Sequence, residues 1–246
     1  MVVGWIWADS WDSQNGSAQI VDLLEKTRSC QNIKKYPINV EAATGAVVSG
    51  QPMICGGWLG THNFFECFQY SKTSNNWTLL TSMTMKRAYS ASVSLNGKLW
   101  VTGGFGGHSR VIQASTEYVS PDGDASQPGP SLPSTRYGHC AVKLSTGQVM
   151  LLGGYSGENL KSVIIFDPDT ERYDTSLPSL KYDRSYVGCA VFNSAMHDNR
   201  EVVLAVGGLH EATAEVLDHT QPNAEWTESN YLFSLLYLTG CIVCRA

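Results

Sequence analysis

Short runs of alternating apolar and polar residues recur along this chain, and they come in pairs. Cys140, Val142 and Leu144 alternate with smaller or polar residues, the period of a strand with one buried face. Thr146-Gly147 breaks the run so that the chain can reverse. Residues 149–152 are wholly apolar, the pattern of a strand buried on both sides, and Gly153-Gly154 ends it. The unit recurs upstream around Asn96-Gly97 and ends at Gly103-Gly104. It occurs again, without the leading arginine, before Gly56-Gly57. Downstream, Arg184 opens a copy that runs through a longer polar insertion to Gly207-Gly208. The glycine pairs begin at 56, 103, 153 and 207, in steps of 47, 50 and 54 residues. A self-similar period near fifty predicts stacked repeats, because one repeat cannot bury its own faces.

Read in order, the chain divides into an incomplete repeat at 2–36, complete four-stranded repeats at 41–84, 88–133, 136–180 and 185–228, and an apolar tail at 229–246. In the incomplete repeat, residues 19–24 and 29–33 read as the third and fourth strands, and the inner strand is missing. Residues 111–119 read as the third strand of the 88–133 repeat. Its fourth strand is predicted to be a loop or ragged edge, because residues 121–130 hold three prolines and no tryptophan. Residues 193–201 read as an extra loop in the last repeat. The tail is expected either to supply the missing inner strand or to be the end of a truncated gene product.

Composition narrows the classes. Charged residues are 16% and aromatics 10%, which favours a sheet-rich globular protein. A net charge of -5 argues against nucleic-acid binding, which needs a basic face. The N-terminus lacks the basic start of a secretory signal. No membrane span is expected, because the longest apolar run, 231–244, is short and interrupted by Ser234, Thr239 and Gly240. There are seven cysteines. Cys140 and Cys189 occupy equivalent inner-strand positions and read as buried free thiols. Cys30, Cys55 and Cys67 fall on neighbouring strands around one repeat and can pair in an oxidising compartment. Asn15-Gly-Ser17 and Asn76-Trp-Thr78 fit the glycosylation sequon, although the second is also the turn before the recurrent tryptophan and counts for little. Together these features lean toward an extracellular location and leave a cytoplasmic one open.

Four strands per unit, a glycine pair after the second, an aromatic ending the third and a tryptophan beyond it resemble kelch repeats. The match is tightest in Cys55-Gly56-Gly57, Phe68-Gln69-Tyr70 and Asn76-Trp77, and again in Gly153-Gly154, Phe166 and Tyr173. It extends over about residues 2–228. Within the family, Cys30, Tyr36-Pro37, Gly45, Cys55-Gly56-Gly57 and Cys67 are similar to the pattern in kelch proteins of invertebrate animals. The resemblance implies an all-β fold, a kelch-type β-propeller with four complete four-stranded blades and a partial N-terminal blade, in a ring that is open or closed by the tail. Glycines 56, 57, 103, 104, 153, 154, 207 and 208 are then structural, permitting close approach of blades.

In such a propeller, the loops that enter the inner strands and the loops between strands two and three share one face. That face is expected to gather Arg87, Arg136 and Arg184, Tyr89, Tyr137 and Tyr186, and Trp58, His62, Phe105, His108 and Tyr155. Arginines and aromatics around a concave mouth suit capture of a protein or peptide, particularly an acidic one. The alternative is that the arginines bond blade-edge carbonyls and the aromatics pad adjacent blades. His62, His108 and His210 come from different repeats and read as loop histidines, so no metal is expected. No nucleophile elbow, phosphate loop or zinc-protease motif is present in the sequence. The expectation is a non-enzymatic scaffold or adaptor without a cofactor. The alternative is a galactose-oxidase-like or other sugar-active propeller.

Overall fold

The computed structural model describes residues 19–21, 30–32, 34–106 and 111–229. Most of the incomplete repeat, residues 107–110 with His108, and the tail from 230 onward lie outside the described residues. Strands β1 (Gln19–Val21) and β2 (Cys30–Asn32) pair antiparallel. Blade I follows, with β3 (Thr44–Val48), β4 (Gln51–Leu59), β5 (His62–Ser71) and β6 (Asn76–Ser82). Next come β7 (Ala91–Leu95), β8 (Lys98–Thr102), β9 (Phe105–Gly106), β10 (Val111–Ile112), β11 (Thr116–Val119) and β12 (Gln127–Gly129). Of these, β7, β8, β11 and β12 form blade II, and β9 pairs with β10 as a small hairpin. Blade III comprises β13 (Cys140–Lys143), β14 (Val149–Leu152), β15 (Val163–Asp167) and β16 (Arg172–Asp174). Blade IV comprises β17 (Gly188–Ser194), β18 (Arg200–Val206), β19 (Ala214–Leu217) and β20 (Thr227–Glu228). Each blade is a four-stranded antiparallel meander. The first strands stand side by side, β3 against β7, β7 against β13 and β13 against β17, so they line a common axis.

Apolar faces of adjacent blades make the core. Met53, Cys55, Cys67 and Met83 of blade I meet Leu99, Val101 and Val119 of blade II. Val93 and Trp100 of blade II meet Leu151, Ile164 and Phe166 of blade III. Met150, Leu152 and Ile165 of blade III meet Val203, Leu217 and Trp226 of blade IV. The aromatic residue on a fourth strand anchors that strand to the segment leading into its own blade. Trp77 Nε1 donates to Lys34 O at 2.8 Å, Tyr173 Oη to Pro130 O at 2.7 Å, and Trp226 Nε1 to Pro178 O at 3.0 Å. Blade II has the buried Ser126 at this place, and methionines and a disulfide fill the seam it faces.

The glycine pairs are explained by the next blade. The second glycine of each pair donates to the carbonyl of the arginine that opens the following blade: Gly57 to Arg87, Gly104 to Arg136 and Gly154 to Arg184, each at 2.8 Å. The first glycine is left-handed, and a Cβ on Gly103 or Gly153 would lie 2.4 Å from that same carbonyl. No side chain fits there. A second belt of bonds circles the axis, with Tyr89 N donating to Ala42 O, Gly138 N to Tyr89 O and Tyr186 N to Gly138 O. All four residues have positive φ, and the N–H groups of Tyr89, Gly138 and Tyr186 meet the preceding blade.

Three expectations change. The predicted third strand at 111–119 is two pieces, and only β11 joins blade II. The proline-rich segment does form a strand, β12. It is the outermost strand, where a proline nitrogen can face away from the ladder, and Thr116 Oγ1 holds Pro130 O at 2.9 Å. Cys140 and Cys189 are not free thiols but a disulfide between the inner strands of blades III and IV, with Cα atoms 5.9 Å apart. A second disulfide joins Cys55 to Cys67 across β4 and β5. The side chain of Cys30 lies outside the described residues.

Candidate functional site

The three recurrent arginines are buried to 0–1% exposure. Each reaches back to the first glycine carbonyl of its own blade: Arg87 to Gly103 at 2.7 Å, Arg136 to Gly153 at 2.9 Å and Arg184 to Gly207 at 2.8 Å. In blades II and IV a buried carboxylate completes the arrangement. Glu117 sits 2.8 Å from Arg87 and Glu215 2.8 Å from Arg184. Glu117 also accepts from the backbone of Thr84 and Met85, and Glu215 from Lys181 and Tyr182, so the carboxylates pin the inter-blade loops. Burial pushes Glu117 up, but the Thr84 N–H and the Arg87 guanidinium outweigh it and hold the carboxyl below its ordinary range. The expectation that Arg87, Arg136 and Arg184 touch a partner is therefore corrected. Their guanidiniums are spent inside the blades, and the main reason for expecting an acidic partner goes with them.

Blade III departs from this scheme. Ile164 is the register equivalent of Glu117 and Glu215, and Pro133 removes the N–H that Thr84 and Lys181 supply elsewhere. Arg136 Nη2 donates instead to Ser134 Oγ, at 2.9 Å, and Nε has no acceptor among the described residues. Burial brings Arg136 down to about 10, so it stays charged near neutral pH. Its neighbour His139 is buried, with Nε2 2.7 Å from Thr102 Oγ1 and Nδ1 without a partner among the described residues. Burial, and then the Arg136 charge, hold the imidazole neutral well below its ordinary range. In the unfolded chain that ring takes up a proton near pH 6.5. Below that pH the unfolded state binds more protons than the fold, so stability falls, by up to about 1.4 kcal/mol per pH unit. We expect His139→Gln to flatten the decline between about pH 6.5 and 5, measured by urea unfolding at each pH.

Above the arginines the chain presents aromatics. The residue after each arginine position bonds the residue after each glycine pair. Glu41 exchanges bonds with Trp58, Ala88 with Phe105 and Tyr137 with Tyr155, and Leu209 N donates to Ser185 O. Trp58, Phe105, Tyr155 and Leu209 thus occupy equivalent places around one mouth. Tyr89, Tyr137 and Tyr186 stand inside this ring. Tyr137 is the hub, with centroids 5.7 Å from Phe105, 5.3 Å from Tyr155 and 5.9 Å from both Tyr89 and Tyr186. Tyr89 and Tyr186 meet edge-on at 5.2 Å. Gly138, lying between them in sequence register, carries no side chain, and a Cβ there would press on Tyr186. Burial, then Glu41 and Tyr137, raise the Tyr89 phenol; burial, then Tyr137, raise Tyr186. Both remain neutral in ordinary buffers and can donate and accept hydrogen bonds.

Among the described residues, the same face carries most of the large exposed hydrophobics. Leu59, Met85, Val111, Tyr186 and Leu209 are 38–50% exposed. They sit on the loops that enter inner strands or join strands two and three; of the large exposed hydrophobics described, only Leu79 and Met196 lie elsewhere. Of the sequence candidates, Phe105, Tyr137, Tyr155 and Tyr186 come together. Trp58 shares the ring position without a ring contact among the described residues. His62 lies exposed at the β4–β5 tip, bonded to Thr61. Leu209 was missed because it is not aromatic, although its place after a glycine pair marks it. Among the described residues no three His, Cys, Asp or Glu stand together as a metal site, and no helix is long and apolar enough to cross a membrane.

No family model matches the chain. It is 30% identical over 166 residues to Kelch-like protein 15 of Mus musculus, covering 57% of this chain and 27% of that protein. Kelch-like protein 33 of Homo sapiens is 27% identical over 137 residues, covering 54% of this chain and 25% of that one. Kelch repeat and BTB domain-containing protein 12 of Danio rerio is 27% identical over 140 residues, covering 51% and 22%. The matched segments thus span about a quarter of these relatives. The solved "Structure of YjhT" superposes with a TM-score of 0.68 at 17% identity, covering 80% of this chain and 68% of that chain. That likeness carries the β-propeller fold.

Proposed function

We propose, from the premise that the chain is a kelch-repeat β-propeller, that it is a non-enzymatic scaffold that captures a partner protein on the tyrosine-lined mouth. The observation that carries this reading is the coincidence of the five-ring cluster with most of the large exposed hydrophobics among the described residues. Contiguous exposed apolar surface with rigid aromatic anchors is the usual chemistry of a protein interface. The Kelch-like relatives support a binding role, and the partner's chemistry is read from the face itself. With the arginines buried, the rim charges that remain include Glu41, Glu158 and Glu211, and Lys86 lies over the Phe65 ring. The partner segment is therefore apolar or aromatic, hydrogen-bonded by tyrosine hydroxyls. Capture by wild type is compared with Tyr186→Ala/Leu209→Ser, at two mouth positions 41% and 47% exposed. We expect affinity to fall at least about 30-fold, the effect of a hot spot worth about 2 kcal/mol, while the variant still unfolds in one cooperative transition. Equal affinity in both proteins overturns the assignment.

A further inference from the structure

We propose that Asn76 is an N-glycan acceptor, on a surface separate from the mouth. The sequon Asn76-Trp77-Thr78 opens β6, the outermost strand of blade I. Alternation along the strand buries Trp77 to 6% exposure and leaves Asn76 and Thr78 exposed. The preceding Asn75 is committed, its Oδ1 accepting from Tyr70 Oη at 2.8 Å and from Lys34 N at 3.2 Å. Asn76 is different. Its backbone pairs with Ser71, but its amide makes no hydrogen bond to the described residues. Asn76 is therefore solvent-exposed on an outermost strand. Along β5, Ser71 is at the far end from the mouth-side Phe64, on the order of 20–25 Å away at strand rise. A glycan there leaves the mouth open and covers the outer edge of β6.

A second observation bears on where the chain matures. Four of its seven cysteines are joined, Cys55 to Cys67 within the same blade and Cys140 to Cys189 between blades. Structural disulfides persist in oxidising compartments, the same ones in which sequons are read. The modification transfers sugar from a polyprenyl-diphosphate-linked oligosaccharide. Asn76 Nδ2 bonds to the anomeric carbon as the bond from that carbon to the diphosphate oxygen breaks. The diphosphate leaves with the electron pair, and Nδ2 gives up one proton. The Thr78 hydroxyl is the sequon's second requirement.

The test is peptide mapping, without reduction, of the full chain isolated from the cells that make it. We expect the Asn76 peptide to carry an oligosaccharide and to contain aspartate at 76 after amidase release. Thr78→Ala should abolish the glycan at this site and Thr78→Ser should retain it; neither change touches the core. An unmodified Asn76 peptide, with the cysteines joined or free, overturns the proposal. This outcome is independent of partner binding at the mouth.

Discussion

Replacing Glu215 with alanine is expected to cost about 3–5 kcal/mol, because it strips the counter-charge from a buried guanidinium. Arg184 and Glu215 have side chains at 0% exposure. Without the carboxylate, Arg184 Nε and the N–H groups of Lys181 and Tyr182 lose their acceptor together. For a chain of this size the loss corresponds to a Tm lower by roughly 6–20 °C. Arg184→Met/Glu215→Leu should recover part of the loss. The recovery is incomplete because the Gly207 and Thr213 carbonyls also depend on Arg184. Arg136→Met should cost less than Glu215→Ala, because blade III has Ile164 where the others have a carboxylate. Denaturant unfolding of the three variants checks the order. An Arg136→Met cost equal to or above that of Glu215→Ala would remove the distinction drawn between the blades.

Trp100→Ala is the second large effect, about 3–5 kcal/mol for emptying a buried tryptophan site. Trp100 is fully buried on β8, and its ring stacks on Phe166 of blade III at 4.4 Å and 18°. The indole fills the seam between blades II and III, so its loss separates two sheets rather than loosening one. Trp100 Nε1 is buried without an acceptor. Trp100→Phe should therefore keep most of the stability, since it removes an unsatisfied donor along with the smaller part of the ring. Equilibrium unfolding of both variants decides this. Comparable losses in Phe and Ala would show that the indole nitrogen has a partner.

Much of the fold was legible because period-two alternation, turn dipeptides and glycine pairs are local signals. β12 was not, since proline propensity argues against a strand and only its outer position lets the strand form. The free-thiol reading of Cys140 and Cys189 failed because equivalent positions on successive inner strands become neighbours when blades stack. The arginines illustrate the limit best. Their position after a loop suggested a binding rim, while their partners lie on third strands. A signal was present: Glu117 follows Arg87 by 30 residues and Glu215 follows Arg184 by 31. The third copy breaks it with Ile164 and Pro133, which hid the pattern. At the mouth, Phe105, Tyr137, Tyr155 and Tyr186 could be read from loop positions, whereas the meeting of Tyr89 with Tyr186 across Gly138 depends on blade curvature.

The tyrosine mouth is the docking face we propose. Its most direct test is hydroxyl-radical footprinting of the protein alone and with its captured partner. Protection is expected at Tyr186, Leu209, Val111 and Leu59, with Met196 and Leu79 labelled equally in both states. Protection confined to Met196 or Leu79, with the mouth residues unchanged, would contradict it.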